Sequence, residues 1–351
     1  MVKQPGPIEW RWSMPPSHGP SRRSGLRLRW PFYAGGALLL LVAVLDLPGY
    51  MQKYLWMKQL GYSQIFWTLL SIKLTMFLVG LVFVFLFIWL NVRYAVLRSM
   101  RSPASALREQ FAGPWRSTAG GLPDPQILGA WLQPIVLAGS AIVALFFALA
   151  FAADWNSYLR FRYGGAYGLH DPLFGVDVGF YLFHLPFYEL LQRSLVTLAF
   201  LTLAAICAIY AAAGAIQSVG GRRLVVGEGV SRHLSALLII VAALLGFGFY
   251  LDRYDLVYST LGVVYGAGYT ADHVTRVALF FMQGVTVAAC GLLIVNFFRP
   301  RVTAVVLGIV VYAGLYVMAV LLVPAGIQHF VVEPNELALE TPYLKNYIAF
   351  T

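Results

Sequence analysis

Charge is what this chain has least of. Only 11% of its 351 residues are Asp, Glu, Lys or Arg, while 60% are hydrophobic. A water-soluble domain carries about 25% charged residues. A surface this apolar would be sticky in water. The two or three soluble domains that length alone suggests therefore give way to a single membrane bundle. Cysteine is nearly absent: Cys207 and Cys290 each stand in the middle of an apolar run. A disulfide framework needs paired cysteines in an oxidising, aqueous setting, and cysteine-bound zinc needs close pairs. Neither pattern is present, so both thiols read as small packed hydrophobes.

Ionisable groups deep inside the apolar runs are almost absent too. Such groups are costly in lipid and mark ion or proton paths, so their absence argues against a proton-coupled pump. Lys73 and Asp46 lie near span ends, where snorkelling suffices. Gln283 is polar but uncharged and is expected to hydrogen-bond between helices. There is no Ser-His-Asp set with a nucleophile elbow, no HExxH, no P-loop and no GxGxxG. We therefore expect no catalytic residue, no cofactor and no enzyme activity.

What the chain has is seven long apolar runs, at about 31–47, 69–90, 134–153, 187–213, 234–251, 277–297 and 302–323. A helix needs ~20 apolar residues to cross the hydrocarbon core. Continuous rather than alternating runs favour helices over a barrel. The expected fold is an all-α integral membrane bundle of about seven transmembrane helices, with interfacial helices and outer loops. The domain plan is a basic tail over 1–30, a membrane domain over 31–323 and a polar segment over 324–351. The first span reads as an uncleaved anchor, because no small-x-small cleavage site follows Leu47. Pro48-Gly49 should end its helix. A short interfacial helix is expected over 51–67, where Tyr54, Trp56, Tyr62 and Trp67 suit the headgroup region. Ala204, Ala208 and Ala212, then Ala215, form a small-residue face, expected to let another helix of the bundle approach closely, with self-association as the sharper alternative.

The loops alternate in charge. The N-terminal tail and the loops after the second, fourth and sixth spans hold 16 of the 25 Lys and Arg, but only 4 of the 15 acids. Positive loops stay in the cytoplasm. The expected topology is a multi-pass bacterial inner-membrane protein, N-terminus cytoplasmic and C-terminus extracytoplasmic. The net charge of +10 is explained by lipid headgroups and insertion rules, not by nucleic acid.

The outer loops carry the remaining chemistry. Asp171, Asp177, Asp252 and Asp272 are the candidate cation ligands. Carboxylates bind hard cations, but such a site takes six or more oxygens, and no EF-hand spacing is present. Solvated loops are the plainer expectation. Thr270 reads as an N-cap before the sixth span, with Asp272 favouring the helix dipole. After the last span, Pro334, Asn335, Glu336 and Glu340 stand in a polar stretch that reads as a gateway to a partner or a further domain.

Four segments carry a family resemblance: WMKQLGY, DPLFGVDVGFYLFHLPF, YGAGYTADH and VEPNELALETPYLKNYIAFT. In this order and placement they resemble uncharacterised protein family 0182, large bacterial membrane proteins. The resemblance runs from about Tyr50 to Thr351. It implies seven N-terminal spans followed by a large extracytoplasmic region. It implies no activity and no catalytic residue. The chain stops where members of the family continue, which leaves a fragment, a frameshifted or split reading frame, or a membrane half that pairs with a separate polypeptide; any function of the missing region is expected to be lost here or supplied in trans.

Three functions remain open on these grounds. The first is a membrane anchor or scaffold for an extracytoplasmic domain or envelope partner, besides its lipid bilayer. The second is a channel or transporter for a neutral or lipid-like solute. The third is a membrane-surface enzyme using the outer carboxylates.

Overall fold

A computed structural model of the chain describes residues 30–100, 125–213, 215–219, 223–260, 262 and 265–350. The expected basic tail lies outside the described residues, apart from Trp30. Six helical stretches among the described residues are long and apolar enough to cross a membrane. They are Ser63–Ser99, Pro134–Ala153, Phe180–Ala212, Glu228–Tyr258, Ala271–Phe298 and Val302–Ala349. They contain the second to seventh expected spans. The first expected span falls in helix α1, Trp30–Gln59, whose side chains up to residue 43 lie outside the described set. The protein is an all-α membrane bundle.

The chain divides into two units, 1–69 and 70–351. In the first, α1 runs straight through Pro48-Gly49, where a break was expected. A proline removes one helical hydrogen bond, which a long apolar helix tolerates. The helix stops instead at Gly61, whose φ of +79° suits only glycine at low cost. There the Tyr62 N–H donates to the Met57 carbonyl and the Gly61 N–H to that of Lys58, a Schellman closure. The next helix, α2 (Ser63–Met100), starts at once, so no separate interfacial helix forms. Tyr54, Phe66 and Trp67 cluster across the turn, with ring centroids 5.3–5.9 Å apart.

The second unit is the bundle. Helix α3 (Pro125–Ala153) packs on α2 through small residues. Ser140, Ala144 and Ala148 recur every fourth position and are buried. A Cβ at Gly80 would meet Phe151 and Ala148 at 3.4–3.6 Å. Small residues let helices approach where lipid gives no hydrophobic drive between them. After α4 (Trp155–Tyr163) comes α5 (Leu185–Ala212). It buries Leu198, Thr202, Ile206 and Tyr210, again four apart. The expected small-residue packing face is therefore only partly found: Ala204, Ala208 and Ala212 are exposed, while Ala215, beyond the helix end, is buried. The larger side chains on the other face fill more space, and they win the interior.

A two-stranded antiparallel hairpin, β1 (Ile216–Val219) with β2 (Arg223–Val226), follows; it was not expected from the sequence. Helices α6 (Glu228–Asp255) and α7 (Arg276–Phe298) then pair as the central antiparallel couple. Asn296 locks them at the hairpin end. Its Nδ2 donates to Ser235 Oγ at 2.7 Å and Ser231 Oγ at 3.3 Å, and its Oδ1 accepts the Arg301 N–H at 2.6 Å. Further interhelical hydrogen bonds include Gln192 donating to the Leu244 carbonyl and the Thr286–Tyr312 hydroxyl pair. Among the described residues Gln283 makes none. His233 joins three helices at the same end, meeting Tyr210 Oη at 2.8 Å and Asn91 Oδ1 at 3.1 Å.

Helix α8 (Val302–Tyr316) continues through α9 (Val323–Ile327) into α10 (Glu336–Phe350), linked by π- and 3-10 turns. The segment read as polar, after 323, is thus helical as far as Phe350. The π turns explain how prolines are accommodated. Phe180–His184 precedes Pro186, Val317–Leu322 precedes Pro324, and Gln328–Val332 precedes Pro334. A proline lacks its donor and crowds the carbonyl four residues back. Widening the preceding turn relieves both without ending the helix.

Candidate functional site

One end of the bundle gathers the 164–180 loop, the 256–270 loop and α10. The first loop is built around two carboxylates. Asp171 is 5% exposed. Its Oδ1 accepts the N–H groups of Leu173 and Phe174 at 2.8 and 2.6 Å, and its Oδ2 accepts Val176 N–H and Tyr181 Oη at 2.9 and 2.8 Å. Pro172 supplies no N–H of its own, so the chain turns and aims the following amides back at Asp171. Asp177 does the same on the other side. It accepts from Tyr167, Gly168 and Gly179 N–H groups at 2.7–2.8 Å. These amides hold its carboxyl below the usual carboxylate range. Gly179 fits because any Cβ there would stand 2.3 Å from the Gly165 carbonyl oxygen.

The second loop is fastened by α10. Glu340 is 2% exposed and its Oε1 accepts the Tyr269 N–H at 3.1 Å. A Cβ on Gly268 would lie 2.8 Å from its carboxylate, so glycine makes the approach possible. Tyr343 donates to Asp272 Oδ2 at 3.0 Å. Arg276 Nη1 lies 2.8 Å from Asp272 Oδ1 as an ion pair, yet this buried oxygen accepts no well-directed hydrogen bond among the described residues. Thr270 does not act as a side-chain cap; its hydroxyl donates to Gln328 Oε1 instead.

Between these parts lies a cavity of about 410 Å³, walled by Asp171, Tyr181, Tyr258, Tyr265, Asp272 and Tyr343, among others. Ligand sites usually span ~300–1,000 Å³ and combine apolar walls with a few polar groups. Three of the four sequence segments quoted above meet in its walls. A second cavity, of about 590 Å³, lies among α5, α6, α7 and α8 and is lined mostly by apolar side chains, with Gln192 and Asp252 as polar members.

The four candidate cation ligands are thus dispersed in role. Asp171 and Asp177 each organise a stretch of loop, Asp272 pairs with Arg276 and Tyr343, and Asp252 lines the apolar cavity. Among the described residues no three His, Cys, Asp or Glu side chains are grouped to hold a metal ion. The loops are not simply solvated either, since Asp171 is buried. Of the residues read as a gateway, Pro334, Asn335 and Glu336 are exposed while Glu340 turns inward. The tyrosines of the cavity were passed over in sequence because aromatic residues at span ends read as headgroup anchors. Their recurrence in YGAGY and TPYLKNY was the available signal.

The family model described as "Uncharacterised protein family (UPF0182)" matches residues 32–351. A UPF0182 protein of Salinibacter ruber is 36% identical over 304 residues, covering 87% of this chain and 31% of the relative. UPF0182 protein bll7333 of Bradyrhizobium diazoefficiens is 35% identical over 86% of this chain and 32% of its own length. A UPF0182 protein of Desulforamulus reducens is 34% identical, covering 85% of this chain and 33% of its own. The chain therefore spans about a third of the length of the curated relatives it matches. No solved structure matches.

Proposed function

The chain belongs to the uncharacterised protein family UPF0182, and on that premise we propose that it is a membrane anchor presenting a firm platform to an extracytoplasmic domain or envelope partner. The observation that carries this reading is the fastening of α10 to the 256–270 loop by buried Glu340. A helix held in this way offers a fixed surface. Beside it, Leu337 is 83% exposed and Pro334, Asn335 and Glu336 are open. The greater length of the relatives supports a further region acting with this one. The charge asymmetry of the loops supports residence in a bacterial inner membrane, with this platform facing away from the cytoplasm.

The test is a photo-crosslinking amino acid at Leu337 in the full chain, expressed in a bacterium that carries a relative. The reading expects one discrete crosslinked envelope partner. Recovery of monomer alone would count against it.

The 590 Å³ apolar cavity supports a second reading, carriage of a neutral or lipid-like solute. Liposomes containing the purified chain should then move a labelled lipid between leaflets faster than empty liposomes. Equal rates would remove this reading.

A further inference from the structure

The 410 Å³ cavity has a chemical character that the anchor reading does not use. Five tyrosines stand in its walls: Tyr181, Tyr258, Tyr265, Tyr343 and Tyr347. Tyr181 and Tyr258 meet nearly at right angles, at 83° with centroids 6.3 Å apart, so they form a corner. Aromatic faces are electron-rich and attract cations within about 6 Å of the ring centre. The fixed charge has the same preference. Asp171 and Asp272 line the cavity and Glu340 lies behind the Gly268 backbone; the basic groups in contact with them are Arg276 and, when protonated, His273. Asp272 is the charged group of the wall: its Oδ1 pairs with Arg276 Nη1 at 2.8 Å, its Oδ2 accepts from Tyr343, and the carboxylate borders the cavity.

We propose that this cavity binds a small organic ammonium ion. Its ammonium group lies against the tyrosine corner formed by Tyr181 and Tyr258, in the cavity that Asp171 and Asp272 border. A neutral saccharide would use the same rings and would gain nothing from the net negative charge. A bare metal ion would find no grouped ligands among the described residues. An alkylammonium satisfies the rings and the charge together.

The test uses the full chain in phosphatidylglycerol nanodiscs, which contain no amine headgroup. n-Butylammonium and its neutral counterpart n-butanol are titrated by calorimetry, with glucose as a third probe. The proposal expects saturable binding of butylammonium alone. Tyr258→Phe keeps the ring and should stay within about twofold, while Tyr258→Leu should weaken binding about tenfold. Because Tyr258 also packs on Tyr181, the Tyr265→Leu variant, at an exposed position, is measured beside it, and each variant's thermal unfolding is compared with wild type. Butanol or glucose binding as tightly as butylammonium would overturn the proposal. So would equal affinities in the Phe and Leu variants, or no saturable butylammonium binding by folded protein. Adding phosphatidylethanolamine to the disc then identifies the source: competition points to a lipid headgroup, and unchanged affinity points to a soluble amine. Neither the binding nor its loss depends on an envelope partner, so this test stands apart from the crosslinking at Leu337.

Discussion

Glu340 on α10 accepts the backbone N–H of Tyr269, 71 residues earlier in the chain, at 3.1 Å. The pair fixes the end of the last helix to the loop between the two central helices. Removing the carboxylate leaves a donor without its partner in a buried place.

The Glu340→Ala variant should therefore lose about 1–3 kcal/mol, read as a lower midpoint in detergent-solubilised thermal unfolding. The Gly268→Ala variant should also destabilise, because its methyl group would stand 2.8 Å from the same carboxylate. Its effect should be smaller, since the end of a flexible side chain can shift. A Glu340→Ala protein as stable as wild type would show that the contact carries no load.

Asp171 collects three backbone amides and one phenol. An amide in its place can accept at only one of its two terminal atoms. Asp171→Asn should cost roughly 2–4 kcal/mol, since hydrogen bonds to charged groups are the stronger kind. Proteolysis within the 164–180 loop should speed up with it. An unchanged cleavage rate would refute this assignment.

Asp177 gives a pH dependence with a definite sign. Its amide partners lower its pKa from the ordinary 3.8. A carboxyl depressed in the folded state contributes its full stability above the unfolded value. That contribution fades as pH falls below 3.8 toward the folded value. Thermal midpoints measured from pH 7 to pH 3 should drop at the acid end in wild type. Asp177→Asn should begin lower at neutral pH and lose the part of the slope due to this group. Parallel curves would place the acid sensitivity elsewhere.

At the opposite end, Asn296 serves two serine hydroxyls and one amide. Asn296→Leu keeps the volume and removes every one of these bonds. A loss of about 1–3 kcal/mol is expected, and hydrogen exchange at the Arg301 amide should accelerate. Exchange as slow as in wild type would contradict the proposed role.

The membrane character and most span positions were legible in the sequence, because hydropathy acts residue by residue along one helix. The run at 134–153 lies within α3, Pro125–Ala153, and ends where that helix ends. What was not legible depends on neighbours. Pro48 looks like a stop, but nothing local says that the following turn remains helical as far as Gly61. Ala204, Ala208 and Ala212 look like a packing face until Leu198, Ile206 and Tyr210 are seen to fill the interior. The polar stretch after the last span gave no sign of its local structure, and π turns absorb Pro324 and Pro334 within a continuous helical path.

The candidate site was half legible. Asp171, Asp272 and Glu340 were singled out by type and place, and all three stand in or beside the 410 Å³ cavity. Their roles were not readable, because a carboxylate is assigned by its donors. Those donors are amides of the same loop for Asp171 and residues 71 positions away for Glu340 and Asp272.

The proposal that the cavity end faces away from the cytoplasm rests on loop charge. Single cysteines at Gly165, beside the cavity loops, and at Glu228, at the hairpin end, would be introduced with Cys207 and Cys290 replaced by alanine. A membrane-impermeant maleimide is then added to intact bacterial spheroplasts. Labelling at position 165, with position 228 reached only after permeabilisation, is the expected result. The reverse pattern, or labelling of both in intact cells, would contradict the topology and the anchor reading built on it.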